Sequence, residues 1–144
     1  MPVQTIIEQH LTRLLEELEL PALTAKDRDE TRGYKLELTP DLCLFLKEQE
    51  TGLFLFSQIA PLPPQKREEL FILLMKANFL GQGTGGSTIG LDKDEKFLTL
   101  SLTIPYDMNY KAFKEIIEDF ANFVDYWRSE ILRHAEDAEK GLLP

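Results

Sequence analysis

Six apolar residues stand in a row at Leu70-Phe71-Ile72-Leu73-Leu74-Met75. Leu, Met and Ala favour helix, and Pro63 and Pro64 lie just upstream, where proline suits a helix start. The pattern predicts a helix from about Lys66 to Phe79. Six consecutive residues reach every side of a helix, and a helix that is apolar all round must be covered all round. One side can lie on the chain's own sheet. A 144-residue chain has little left for the other side, so a second subunit is expected there.

The run leads into Gly81-Gln82-Gly83-Thr84-Gly85-Gly86 and then Ser87-Thr88-Ile89-Gly90-Leu91. The glycines satisfy G-x-G-x-x-G, the dinucleotide fingerprint. That fingerprint works only with a strand before it and a helix after it, because the pyrophosphate must meet a helix N-terminus. Here a helix comes first and a strand follows. No G-x-x-x-x-G-K-[ST] phosphate loop is present. The glycines therefore read as a helix stop and a sharp turn.

Upstream, Val3, Ile6, Ile7, Leu11, Leu14, Leu15 and Leu18 recur at helical spacing, ending near Pro21. The stripe is broad enough that its edge could stay uncovered and form part of a groove. Thr24 to Thr31 is charged and aperiodic, and reads as a loop. Three alternating runs follow from Gly33, separated by Pro40-Asp41 and Glu50-Thr51-Gly52, which makes an antiparallel meander. The second and third runs are apolar on both faces, so both faces are expected to be covered. Phe97 to Ile104 alternates most clearly. Leu98, Leu100, Leu102 and Ile104 face one way, and Thr99, Ser101 and Thr103 face solvent or a partner. Asn109 can cap a last helix whose stripe is Phe113, Ile116, Ile117, Phe120, Phe123, Val124, Trp127 and Ile131. The polar tail from His134 is expected to fray. The fold class is α+β: one domain over 1–144, with a single antiparallel five-stranded sheet and three helices in the order α-β-β-β-α-β-β-α.

Net charge is −9. This argues against a nucleic-acid partner, which would need clustered Lys and Arg. No apolar run approaches the ~20 residues of a membrane span, and the N-terminus lacks a basic signal-peptide region. Chemistry is sparse. His10 and His134 show no metal-ligand spacing, Asp92 to Glu95 lacks the calcium-loop pattern, and Cys43 is a lone strand thiol. Ser87 is not in a nucleophile elbow. No paired acid and base stands out, so no catalytic set, metal or cofactor is expected, and the residues point to binding.

An apolar helix ending Ala77-Asn78-Phe79-Leu80-Gly81, then Gly83-Thr84-Gly85-Gly86-Ser87-Thr88-Ile89-Gly90-Leu91-Asp92, an alternating strand and a long helix with a late Trp127 together resemble the class I chaperones of type III secretion, the CesT or Tir-chaperone family. The resemblance covers roughly Ile6 to Leu132. It implies a cytoplasmic homodimer in a Gram-negative bacterium, joined through the second helix and the strand after the glycines. It further implies that the dimer binds the N-terminal segment of secreted effector proteins and hands them to the secretion ATPase, binding no ATP itself. By the resemblance, the client-binding positions are Val3, Ile6, Ile7, Leu11, Leu14, Leu100 and Leu102; core is the alternative place for each of them, and the better one for Leu14. The dimer contact would involve Leu70, Leu73, Leu74, Thr88, Ile89 and Leu91. The alternative is a general protein-binding or adaptor domain of the same fold outside secretion.

Overall fold

The computed structural model describes residues 5–23, 33–50, 52–105 and 108–143. In chain order the elements are α1 (Ile6–Glu17), β1 (Gly33–Thr39), β2 (Leu42–Gln49), β3 (Gly52–Pro61), α2 (Arg67–Asn78), a 3-10 turn (Phe79–Gly81), β4 (Thr88–Leu91), β5 (Phe97–Ile104) and α3 (Tyr110–Glu139). The strands form one sheet ordered β1-β2-β3-β5-β4, with β1–β2 and β4–β5 pairing antiparallel. This is the expected α+β order of one five-stranded sheet and three helices. The expected loop over Thr24 to Thr31 lies outside the described residues, as does the turn residue Thr51. The chain builds two compact units, Met1–Leu55 with Thr103–Glu118, and Phe56–Leu102 with Asp119–Pro144.

In the first unit, α1 starts where the Thr5 hydroxyl accepts the Glu8 amide at 3.1 Å, with Glu8 itself in the positive first turn. Ile7, Leu11, Leu14 and Leu15 are buried at helical spacing. On the sheet, Tyr34 pairs with Leu46 and Leu36 with Leu44, and the same face buries Leu42 and Glu48. A carboxylate in this apolar row needs a partner, because an unpaired buried charge is costly. The Tyr34 hydroxyl supplies one, donating to Glu48 Oε2 at 2.9 Å. Asn109 caps α3 as expected, its Oδ1 accepting the Ala112 amide at 2.8 Å.

In the second unit, the end of α2, the glycine loop, β4 and α3 lock together. Gly83 passes so close to α2 that a Cβ there would stand 2.9 Å from Ala77 Cα. Gly85 has φ +63°, and its Cβ would stand 2.3 Å from the Phe123 ring. Neither position admits a side chain without movement. The Trp127 indole donates to the Gly83 carbonyl at 2.9 Å. Asn78 reaches across to β4, donating from Nδ2 to the Ile89 carbonyl at 2.9 Å and accepting the Ile89 amide on Oδ1 at 2.8 Å.

Three expectations change. The tail expected to fray from His134 is helical through Glu139, and Gly141 in the turn just beyond has φ +69°. His134 Nε2 lies 3.1 Å from the Lys66 carbonyl, and Lys140 pairs with Glu136, which holds this stretch in register. Second, the outer face of β2 is not closed: Phe45 remains 41% exposed. Apolar character on both faces of a strand had pointed to two covering layers, and this side chain lacks the second. Third, Thr99 is buried on the face expected to be polar and open. Its cross-strand partner is Gly90, so no opposing side chain holds that site apart.

Two predictions follow from these contacts. Burial first, and then the hydrogen bond to Glu48, push the Tyr34 phenol up to about 12 from an ordinary 10.0. A phenol whose folded pKa is raised stabilises the fold fully below its unfolded value and loses that contribution as pH climbs toward the folded one. Thermal melts should therefore show stability falling between pH 10 and about 12, and Tyr34→Phe should flatten that fall. At neutral pH the same variant should cost about 1–3 kcal/mol, because Glu48 keeps its burial and loses its donor. Trp127→Phe should cost a comparable ~1–3 kcal/mol by leaving the Gly83 carbonyl without its donor, read as a lowered melting temperature by circular dichroism.

Candidate protein-binding faces

Helix α2 buries one side only. Leu70, Leu74 and Ala77 recur at four and three residues and are buried. Ile72 is 50% exposed, Leu73 42% and Met75 72%. Phe79 and Leu80 in the following 3-10 turn are also exposed, as is Leu91 on β4. The exposed apolar side chains are the surplus that an all-round apolar helix leaves when one sheet covers it. Of the residues expected at a dimer contact, Leu73, Thr88 and Leu91 are on the surface. Leu70, Leu74 and Ile89 lie inside the chain's own core, where they hold the face in place. Ile72, Met75, Phe79 and Leu80 belong to the surface too. Periodicity could not select them, because every residue in the run from Leu70 to Met75 is apolar and any of them could face inward.

The first unit offers a different surface. Of the client positions expected in it, Ile7, Leu11 and Leu14 are buried and Val3 lies outside the described residues; in the other unit Leu100 is buried and Leu102 half-buried. Ile6 stands free at 59% exposure, and Leu18 at the other end of α1 is also exposed. The broad α1 stripe is thus mostly core, and its edges carry the accessible surface.

After α1 the chain turns at Glu19, which takes the left-handed conformation with φ 55°. The Leu20 amide reaches back to the Leu15 carbonyl at 2.9 Å, and the Glu19 amide to Glu16 at 3.2 Å. This pair of bonds is a Schellman ending, with Leu20 brought against Leu15. Two clefts open beside it. One of about 150 Å³ is lined by Thr12, Leu15, Glu16, Leu20, Ala22 and Leu23. The other, about 250 Å³, lies between Leu15, the segment from Leu20 to Leu23, and Lys35, Leu36 and Glu37 of β1. Both are lined mainly by apolar side chains, with Glu16 in one and Lys35 and Glu37 in the other, and small apolar clefts can take single side chains of an extended peptide. Strand β1 is an edge of the sheet. On the far face of β1 and β2, Lys35 pairs with Phe45 and Glu37 with Cys43.

Charges tie α1 to the start of α3 within this unit. Lys114 Nζ lies 2.9 Å from Glu17, Arg13 Nε lies 3.6 Å from it, and the Arg13 guanidinium sits 4.1 Å over the Tyr110 ring. The Lys114 ammonium, donating a hydrogen bond, holds the Glu17 carboxyl below the usual range. Burial, and then the Glu17 carboxylate, push the Tyr110 phenol up. His10 is packed between Tyr110 and Phe113, its Nε2 3.1 Å from the Met108 carbonyl. Among the described residues, no three His, Cys, Asp or Glu gather closely enough to hold a metal ion, and no helix is long and apolar enough to cross a membrane.

Known proteins share this fold and part of this sequence. A Chlamydia pneumoniae protein, CPj0713/CpB0740, is 30% identical over 83 residues, which are 57% of this chain and 63% of the relative. The matched stretch thus spans just under two thirds of that protein. Among solved structures, the ExsC–ExsE complex matches 91% of this chain and 97% of its own at 15% identity, with a TM-score of 0.73. The HopA1–SchA chaperone–effector complex matches 89% and 99% at 16% identity, with a TM-score of 0.65. The ExoU–SpcU complex from the type III secretion system of Pseudomonas aeruginosa matches 88% and 95% at 12% identity, with a TM-score of 0.63. At such identities the likeness is one of fold. The model of the Tir chaperone protein (CesT) family matches residues 9–128. The chain therefore belongs to the Tir chaperone (CesT) family.

Proposed function

We propose that this protein is a cytoplasmic type III secretion chaperone of a Gram-negative bacterium. It binds the N-terminal chaperone-binding segment of one or more effector proteins and keeps it non-globular and competent for secretion. Family membership supports this reading, and the fold is shared with a chaperone solved bound to its effector. The observation in this chain that carries it is surplus apolar surface on an acidic protein. Such a surface suits holding a polypeptide by burial of its apolar side chains at about 25 cal/mol per Å². In this reading the chaperone performs no reaction. It passes its client to the secretion ATPase and binds no nucleotide itself.

The working form is a homodimer joined through the exposed side of α2, with Ile72, Leu73, Met75 and Phe79 in contact and Thr88 and Leu91 of β4 beside them. Leu70, Leu74 and Ile89 support that face from inside. The client lies against the accessible edge of α1 at Ile6 and Leu18 and fills the clefts between Leu15, Leu20 and Leu36. Ile7, Leu11 and Leu14 form the floor beneath. In the other unit, Leu102 is half-open and offers a separate apolar contact on the strand of buried Leu100.

Three experiments test this. Leu73→Glu, and separately Met75→Glu, should turn a dimer into a folded monomer by light scattering. An unchanged dimer, or a monomeric wild type, would remove the interface. Purified chain used as bait in the native host's lysate should retain one or a few secreted proteins through their N-terminal segments. Retention of no polypeptide would end the chaperone reading. With a client in hand, Ile6→Glu combined with Leu18→Glu should weaken binding about tenfold or more, which corresponds to ~1.4 kcal/mol, with the far-ultraviolet spectrum unchanged. Equal affinity would take the client off α1.

A further inference from the structure

Strand β4 is an edge of the sheet, the position where a backbone is most open to pairing with another chain. In an antiparallel strand, alternate residues direct both N–H and C=O away from the neighbouring strand. The Ile89 amide has one hydrogen, and it goes to Asn78 Oδ1 at 2.8 Å, so Ile89 is an outward residue. By alternation Leu91 is outward too, and Ser87 is the residue that leads into the strand. The Ile89 carbonyl is also taken, by Asn78 Nδ2 at 2.9 Å. At Ser87 the amide donates to the Thr84 carbonyl at 3.1 Å, and the Ser87 carbonyl accepts the Thr84 hydroxyl. The first outward residue of β4 and the residue leading into the strand are therefore satisfied by the chain itself, one from the last residue of α2 and one from the glycine loop.

We propose that Asn78 and Thr84 seal the β4 edge against strand addition, so that a second chain meeting this edge must dock by side chains and not by backbone pairing. The seal gives the glycine loop a role that nucleotide binding does not. The sharp turn through Gly85 and Gly86, both at positive φ, carries Thr84 back onto Ser87. Because exposed apolar side chains of α2 and Leu91 belong to the same unit as β4, an unsealed edge would sit with sticky surface and template growth without closure. The inference concerns self-association and does not rest on the identity of any client.

The test compares Asn78→Ala, the near-isosteric Asn78→Asp and Thr84→Val with wild type. Asn78→Asp keeps an acceptor for the Ile89 amide and loses the donor for its carbonyl. Should Asn78→Ala not fold, Asn78→Asp and Thr84→Val carry the test. Trp127→Phe is the control, since it loosens the same loop at Gly83 without unsealing the edge. Amide exchange at Ile89 should accelerate about tenfold or more in Asn78→Ala, as expected when a local protecting bond is removed. Light scattering over a concentration series should show species larger than wild type, with an intermolecular β-sheet signal in the infrared, for the Asn78 and Thr84 variants and not for Trp127→Phe. The proposal is overturned if the Asn78 variants keep the wild-type size. Unchanged exchange at Ile89 in Asn78→Ala would overturn it as well, and so would equal association by Trp127→Phe, because loosening the loop would then suffice.

Discussion

A helix that is apolar on every side needs two covering surfaces, and this chain supplies one. Leu70, Leu74 and Ala77 are spent on its interior, while Ile72, Leu73 and Met75 face outward. That imbalance decides the character of the molecule. A stripe of exposed aliphatic and thioether side chains is costly in water unless something binds it. The outward residues are held by a well-packed inward row, so the surface is presented by a fixed helix and not by a loose segment.

The end of that helix is fixed with comparable care. Within one unit, Gly83 lies on Ala77, Trp127 holds the Gly83 carbonyl, and Asn78 holds Ile89. These contacts need bare backbone at Gly83 and Gly85 and polar side chains at a few defined places. They turn the chain from helix to edge strand in few residues while satisfying the backbone groups that a sharp turn exposes. The other unit solves a similar problem at α1. A left-handed Glu19 ends the helix and lays Leu20 to Leu23 beside β1, leaving narrow apolar clefts. In both places a helix ending shapes the surface.

Much of the fold was legible in the chain. Alternation from Gly33 to Ile59 marked the meander, and the stripe from Phe113 to Ile131 marked α3, because a period of two or 3.6 is imposed by backbone geometry before any packing. The candidate faces were less legible. Ile6 and Ile7 are the same residue type one position apart, yet one is exposed and the other is core. Phe45 read as covered because its strand is apolar on both faces, and it stands open because nothing in the pattern says whether a second layer exists. Thr99 read as open and is buried opposite Gly90.

Element order, the helix-to-strand turn at the glycines, the family, and the surplus of apolar surface on α2 can all be read along the chain. These depend on local backbone preference and on the count of apolar side chains, both of which are written in order along the chain. Packing in three dimensions settles which apolar residues are inside, that Tyr34 and Glu48 form a buried pair, and that Asn78 and Thr84 bond to Ile89 and Ser87. Those outcomes depend on which segments meet in space. Asn78 and Ile89 are eleven residues apart, and Tyr34 and Glu48 fourteen. A hydrogen bond between such residues is fixed by the angle at which a turn returns the chain, which no period in the sequence records.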